Sequence, residues 1–187
     1  MTFATQARFS TVPALPSRRI ALTGFMGAGK STVGRRLAER LEWQFIDVDE
    51  AIEAAAGMTI AEIFAQDGEA AFREMERAAI ARMAADDATV LALGGGAIED
   101  PATRTLLLTT PETLLVHLEI RLETALARCR CGNSVRPLLA DPVSLASRYQ
   151  QRLPLYRMAH MTLSVDALSP GEIVQAILRS ARLGSGK

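Results

Sequence analysis

The stretch Gly24-Phe25-Met26-Gly27-Ala28-Gly29-Lys30-Ser31 constrains this chain more than any other. It fits G-x-x-x-x-G-K-[ST] and falls between an apolar run at 20–23 and a helical pattern in which Val33, Leu37 and Leu41 recur at i, i+4, i+8. Glycines let such a loop turn consecutive backbone N–H groups toward one anion. The helix behind it adds the positive end of its dipole. Gly27, Ala28 and Gly29 form the cradle, and Lys30 is a mobile point charge for β and γ phosphates. The Ser31 hydroxyl suits Mg²⁺, and Thr32 can reach an α-phosphate through its hydroxyl or amide. Strand, glycine loop and helix together predict a nucleoside triphosphate site.

The rest of the chain alternates in the same way. Strands are expected at 20–23, 45–48, 89–93, 113–118 and 161–165. Residues 59–85 read as helix in two pieces broken near Asp67-Gly68, with Phe72, Met75, Ala79 and Met83 as the buried stripe. Helices also fit 121–128 and 142–159, the latter with a kink at Pro154. Ser169, Pro170 and Glu172 form the start signal of a last helix. Alternating strands and helices predict an α/β fold, a parallel sheet with helices on both faces, whose ligands sit beyond the carboxyl ends of the strands.

Composition narrows the classes. With 187 residues the chain makes one domain, expected to span 18–183 between a flexible extension at 1–17 and a frayed tail at 184–187. The extension lacks the continuous apolar core of a secretory signal, although its Ser/Thr-rich, acid-free composition also suits a transit peptide. Lys+Arg and Asp+Glu both number 21, which argues against a nucleic-acid-coating surface. No apolar run approaches the roughly 18 residues of a membrane span. Lys30 and Lys187 are the only lysines, so the interior of the chain has one lysine and it lies in the phosphate loop. Cys129 and Cys131 are too few for a disulfide framework or a four-ligand zinc site.

Two further clusters fall at strand ends. Asp47-Val48-Asp49 closes the second strand, and strand alternation places both carboxylates on one side. One can orient metal waters near Ser31 while the other binds or deprotonates a hydroxyl nucleophile. A solvated turn is the plain alternative. No carboxylate ends the third strand, where Gly94-Gly95-Gly96 stands instead. Three glycines allow a ligand to meet bare backbone N–H groups. Arg73 and Arg152 are forks suited to a carboxylate, with Glu76 placed to brace Arg73. From spacing alone both are equally surface charges, Arg73 pairing with Glu76 or Glu69.

Taken together, 24–32, 45–50, 58–73, 91–97, 132–139 and 152–156 resemble shikimate kinase, a family of small P-loop kinases with a nucleoside-monophosphate-kinase-like fold. Phe-Ile-Asp-Val-Asp, Ala-Phe-Arg, Leu-Gly-Gly-Gly-Ala and Val-Arg-Pro-Leu make the match more specific than the phosphate loop alone. The resemblance implies a three-layer fold, its five-stranded parallel sheet ordered 2-3-1-4-5, with a mobile lid at about 129–139. It implies transfer of the γ-phosphoryl group of ATP to the 3-hydroxyl of shikimate, with Mg²⁺ as cofactor, in a cytoplasmic monomer that binds neither nucleic acid nor membrane. Lys30, Asp49 and Arg136 would be catalytic, and Ser31 and Asp47 would serve the metal. The P-loop residues Gly27 to Thr32, with Arg136, would bind ATP. Arg128 and Arg130 both flank the expected adenine-stacking position, and one of the two would bind the ATP base. Asp49, Arg73, Gly94, Gly95, Gly96 and Arg152 would hold shikimate. A kinase for another hydroxylated acid, such as gluconate, or a nucleotide-sensing module on the same fold, is the rival reading.

Overall fold

The structure, a computed structural model, describes residues 7–9, 17–130 and 142–181. A phosphate loop needs a buried strand aimed at it, and Arg19–Thr23 (β2) supplies that strand at the centre of the sheet. Gln44–Asp47 (β3), Thr89–Ala92 (β4), Thr113–Glu119 (β5) and Met161–Ser164 (β6) run parallel to it. Their spatial order is β3-β4-β2-β5-β6, which counted along these five strands is 2-3-1-4-5, as the resemblance implies. A sixth strand, Ala7–Phe9 (β1), adds antiparallel to β6 at one edge. Residues 7–9 of the expected loose extension thus join the sheet, their backbone groups pairing with an edge that would otherwise stay open.

Eight α-helices among the described residues follow from local signals. Lys30–Leu41 (α1) starts at the phosphate loop and buries Val33 and Leu37. Val48–Ala56 (α2) begins at once after β3, capped by Asp47, whose side chain accepts from the Asp49 N–H. Ile60–Gln66 (α3) opens with a capping box of Thr59 and Glu62, and Gly68–Met83 (α4) follows across the expected break. Pro101–Thr109 (α5) carries Asp100 as cap and proline in its first turn. Leu122–Arg130 (α6), Pro142–Tyr156 (α7, with Pro154 inside it) and Pro170–Ser180 (α8) complete the set. The Ser169–Glu172 capping box of α8 forms as the sequence predicts. Sequence reading marked α2 only by Glu50 and Glu53, as helix-start charges, and passed over α5.

Apolar side chains from both helical layers meet the strands in one core. Ile20, Leu22, Val90, Leu114, Val116 and Leu163 are fully buried. Met75 does not belong to the buried stripe of α4: it is 37% exposed, whereas Glu76 is only 2% exposed. On a 3.6-residue helix, Phe72, Glu76, Ala79 and Met83 lie closest to one line, and Met75 falls to its side. A carboxylate therefore occupies the position at which hydropathy placed a methionine.

Candidate active site

The parallel register brings Thr23 beside His117 and Asp47 beside Ala92, so the carboxyl ends of β2, β3, β4 and β5 open on one side of the sheet. The phosphate loop leaves β2 there. Gly27 and Gly29 adopt left-handed φ values of 75° and 90° that L side chains rarely reach. A Cβ on Gly27 would also lie 2.9 Å from the Ala125 carbonyl oxygen and 3.3 Å from Cys129 Sγ, so α6 closes against bare backbone. Lys30 Nζ donates to the carbonyls of Gly24 (2.9 Å) and Phe25 (3.3 Å), tying its charge to the loop. Phe25 packs edge-on against Tyr149 of α7 at 5.2 Å, and the Tyr149 hydroxyl donates to the Ile120 carbonyl.

A cavity of about 520 Å³ opens over this loop, lined by residues 26 to 33 with Arg128, Leu168, Pro170 and Ile173. Its apolar wall from the start of α8 and its N–H-rich floor suit a base and a polyphosphate respectively. Arg128, not Arg130, lines it. The Arg128 guanidinium donates to the carbonyls of Gly27 (3.3 Å) and Val165 (3.0 Å), joining the loop to the β6–α8 turn. Arg130 is exposed at the end of α6. Cys129 and Arg130, the first two residues of the expected lid, are helical, and Arg136 lies outside the described residues.

Beside the loop, Ser31 Oγ donates to Asp47 Oδ2 at 2.6 Å. Asp47 and Asp49 do not share a strand face. The strand ends at Asp47, and Asp49 sits in the first turn of α2. Helix geometry still brings Asp49 into the site: its Oδ1 is 2.7 Å from where a Cβ on Gly94 would sit. Burial, reinforced by the Asp47 charge, raises the Asp49 carboxyl above its ordinary pKa, with Lys30 opposing.

The triple glycine is the stretch of backbone on which a second group of side chains converges. A Cβ on Gly94 would meet Glu76 Oε1 at 2.6 Å as well as Asp49, and one on Gly96 would meet the Arg73 guanidinium at 2.5–2.8 Å. Two carboxylates and a cation therefore approach backbone where no side chain fits. Arg73 donates to Glu76 (2.7 Å) and Glu69 (3.0 Å). Both surface pairings considered for Arg73 exist, yet they hold a guanidinium that also abuts the glycines. Burial, then repulsion from Asp49, raises Glu76 against the pull of Arg73. Arg152, 7% exposed, comes from α7 and donates to Glu99 Oε2 at 2.7 Å. The Tyr156 hydroxyl, one turn further on, donates to the Gly95 carbonyl at 2.6 Å. Tyr156 stacks on His117, whose burial depresses its pKa to about 3. Sequence reading gave Tyr156 and Glu99 no role. The signal for Tyr156 was its i+4 spacing from Arg152; for Glu99 it was only nearness to the glycines.

An α/β sheet of this order, with a phosphate loop on its central strand and a cluster of acids and arginines on the glycines beside it, defines a P-loop kinase-type phosphotransferase. The family model described as shikimate kinase matches residues 26–182. The chain belongs to the shikimate kinase family. It is 43% identical over 166 residues to the shikimate kinase of Nitrobacter winogradskyi, covering 87% of this chain and 76% of that one. The Acinetobacter baumannii shikimate kinase solved in complex with shikimate is 38% identical, with a TM-score of 0.80 over 87% of this chain and 92% of that one. A Sinorhizobium meliloti gluconokinase shares the fold at 20% identity and a TM-score of 0.53, over 89% of this chain and 91% of that one. No helix among the described residues is long and apolar enough to cross a membrane.

Proposed function

We propose that this chain transfers the γ-phosphoryl group of ATP to the 3-hydroxyl of shikimate, giving shikimate 3-phosphate and ADP on the route to chorismate and the aromatic amino acids. The observation that carries the reading is the convergence of acids and arginines on the triple glycine. Asp49 and Glu76 converge on Gly94, while Arg73 and Arg152 adjoin Gly96 and Gly95. A rigid acid with several hydroxyls matches that set: forks for a carboxylate, carboxylates for hydroxyls, backbone N–H groups between them. Family membership supports the same substrate. Gluconate offers the same groups on a flexible chain, but the gluconokinase likeness extends to the fold alone.

In this reading Asp49 accepts the proton of the attacking hydroxyl. Its raised pKa makes it a stronger base than an exposed aspartate. Glu76 keeps Arg73 in place, Tyr156 fixes the Gly95 peptide, and Lys30 turns from its loop carbonyls to the phosphates. Arg136 is assigned by the family pattern to neutralise charge on the transferring group. Ser31 and Asp47, two oxygen donors 2.6 Å apart beside the cradle, fit a Mg²⁺ ion that keeps several waters. Held by Ser31 and Asp47, Mg²⁺ would supply charge neutralisation for the phosphates. Arg128 is better placed than Arg130 to face the base, since it lines the cavity. The proposal includes a cytoplasmic monomer without nucleic-acid or membrane partners, with size-exclusion chromatography as the check on its oligomeric state.

The test is ADP release from Mg²⁺-ATP with shikimate, with gluconate and with no acceptor. Fast release with shikimate alone is expected. No stimulation by shikimate, from protein shown to bind ATP, refutes the reading.

A further inference from the structure

The two arginines of the acid pocket are held differently. Arg73 is paired with Glu76, whose side chain is 3% exposed and fixed in the core. Arg152 is the reverse case: its own side chain is 9% exposed, while that of Glu99 is 37% exposed. In the first pair the acid is immobile. In the second the arginine is walled in and the acid stands at the rim, with water beside it.

We infer that Glu99 is a built-in competitor for the substrate carboxylate, occupying the Arg152 fork until an incoming acid displaces it. Three observations carry this. Arg152 does not need Glu99 for its orientation. Its side chain is 9% exposed, its Nη1 packs over Gly95, 3.6 Å from where a Cβ would sit, and the Tyr156 hydroxyl lies 3.8 Å from that same point. Second, the backbone under Glu99 is pinned. The Glu99 N–H donates to the Gly96 carbonyl at 2.9 Å, and Arg104 donates to the carbonyls of Ile98 (2.8 Å) and Glu99 (3.3 Å). Release is therefore a side-chain rotation into solvent and requires no loop movement. Third, Glu99 Oε2 takes Nη2 at 2.7 Å, one of the donors a carboxylate clamp uses, whereas the buried Arg152 Nε has no partner among the described residues. A substrate carboxylate reaching this fork either loses Nη2 or sits beside a second negative charge. Each alternative weakens its binding, and each is relieved when Glu99 turns outward.

Glu99 thus sets the affinity for the acid and favours ligands whose full negative charge can displace it. It touches Arg152 and not the reacting atoms, so it is a specificity-determining residue and not a catalytic one. The inference rests on the shikimate reading, which turnover of the unaltered enzyme tests separately.

The experiment compares the unaltered enzyme with Glu99→Gln and Glu99→Ala, measuring KM for shikimate, KM for ATP, kcat, and inhibition by shikimate methyl ester. The ester keeps the hydroxyls and lacks the charge. The expected result is a fall in shikimate KM of roughly three- to fivefold in either folded variant, with kcat, ATP KM and the inhibition constant of the ester unchanged. A shikimate KM that stays the same or rises overturns the inference, because Glu99 then orients Arg152 or does nothing to it. A parallel tightening of the ester also overturns it, because the substitution has then merely opened the pocket.

Discussion

Replacing Gly96 with alanine separates the acid pocket from the phosphate cradle. Gly96 has φ −96° and ψ −12°, which alanine adopts without strain. The substitution therefore acts through space alone. The new methyl carbon would lie 2.5 Å from Arg73 Nη2, 2.6 Å from Nη1 and 2.8 Å from Cζ. Something must yield, and it is the guanidinium, the far end of a flexible side chain that is 27% exposed. Arg73 retreats toward Glu69 and loosens its 2.7 Å bond to the buried Glu76. Full loss of a buried partner costs about 3–5 kcal/mol. Partial retreat, offset by the about 0.4–1 kcal/mol that alanine gains over glycine in the unfolded chain, leaves a net loss of about 1–3 kcal/mol. At about 2–4 °C per kcal/mol for a domain of this size, Tm falls by a few degrees up to about 10 °C. The pocket suffers more. One charge-assisted hydrogen-bonding partner is worth about 1.5–3 kcal/mol, so shikimate KM rises about 10- to 100-fold. ATP KM stays near its original value, because Gly96 is not among the residues lining the nucleotide cavity. Steady-state ADP release with each substrate varied at saturation of the other reads both constants. Gly95→Ala is the control for stability alone: its methyl would meet nothing closer than Arg152 Nη1 at 3.6 Å, so Tm falls less. A Gly96→Ala enzyme whose shikimate KM lies within twofold of the original, or whose two KM values rise together, refutes the assignment of Arg73.

Lys30→Ala and Asp49→Ala each lower kcat by at least about 100-fold in the ADP-release assay while leaving the circular dichroism spectrum unchanged; near-normal turnover in either removes that residue from the mechanism. Burial holds His117 at a pKa of about 3, far below its unfolded value, so its neutral form favours folding above pH 6.5 and that contribution is lost as pH falls toward 3. Urea unfolding at pH 7 and pH 5 will show the loss, at up to about 1.4 kcal/mol per pH unit, and His117→Gln will flatten it; an equally steep variant refutes the assignment to His117. Removal of residues 1–17 leaves kcat and both KM values within about twofold but lowers stability by about 1 kcal/mol or more, since β6 loses its antiparallel neighbour; a large loss of activity shows that the extension supports the site.

What the sequence made legible was local. The phosphate cradle, the start of α1 and the cap of α8 each depend on residues within a turn or two of one another, and each stands where the pattern places it. Strand order followed from the family resemblance and not from periodicity. Asp49 shows how a correct grouping can rest on the wrong geometry. Alternation along a strand and the first turn of a capped helix both bring it near Asp47, and only the Asp47 side chain accepting from the Asp49 N–H distinguishes them. Glu76 was legible as the brace of Arg73, but its burial was not, because a hydropathy stripe has no means of choosing a carboxylate over Met75 for the core. The choice is made by Arg73, three residues back, and by the bare backbone of Gly94 facing it. Arg152 and Tyr156 were even odds or silent from spacing for the same reason. Their partners, Glu99 and Gly95, lie 53 and 61 residues away and meet them only once α7 has packed on the sheet. Tyr149, Arg152 and Tyr156 share one face of α7, at i, i+3 and i+7. Tyr149 packs on Phe25 of the phosphate loop, while Arg152 and Tyr156 reach the triple glycine. One helix therefore sets the spacing between the phosphate loop and the triple glycine, and a transfer between groups held at those two places requires that spacing to be fixed.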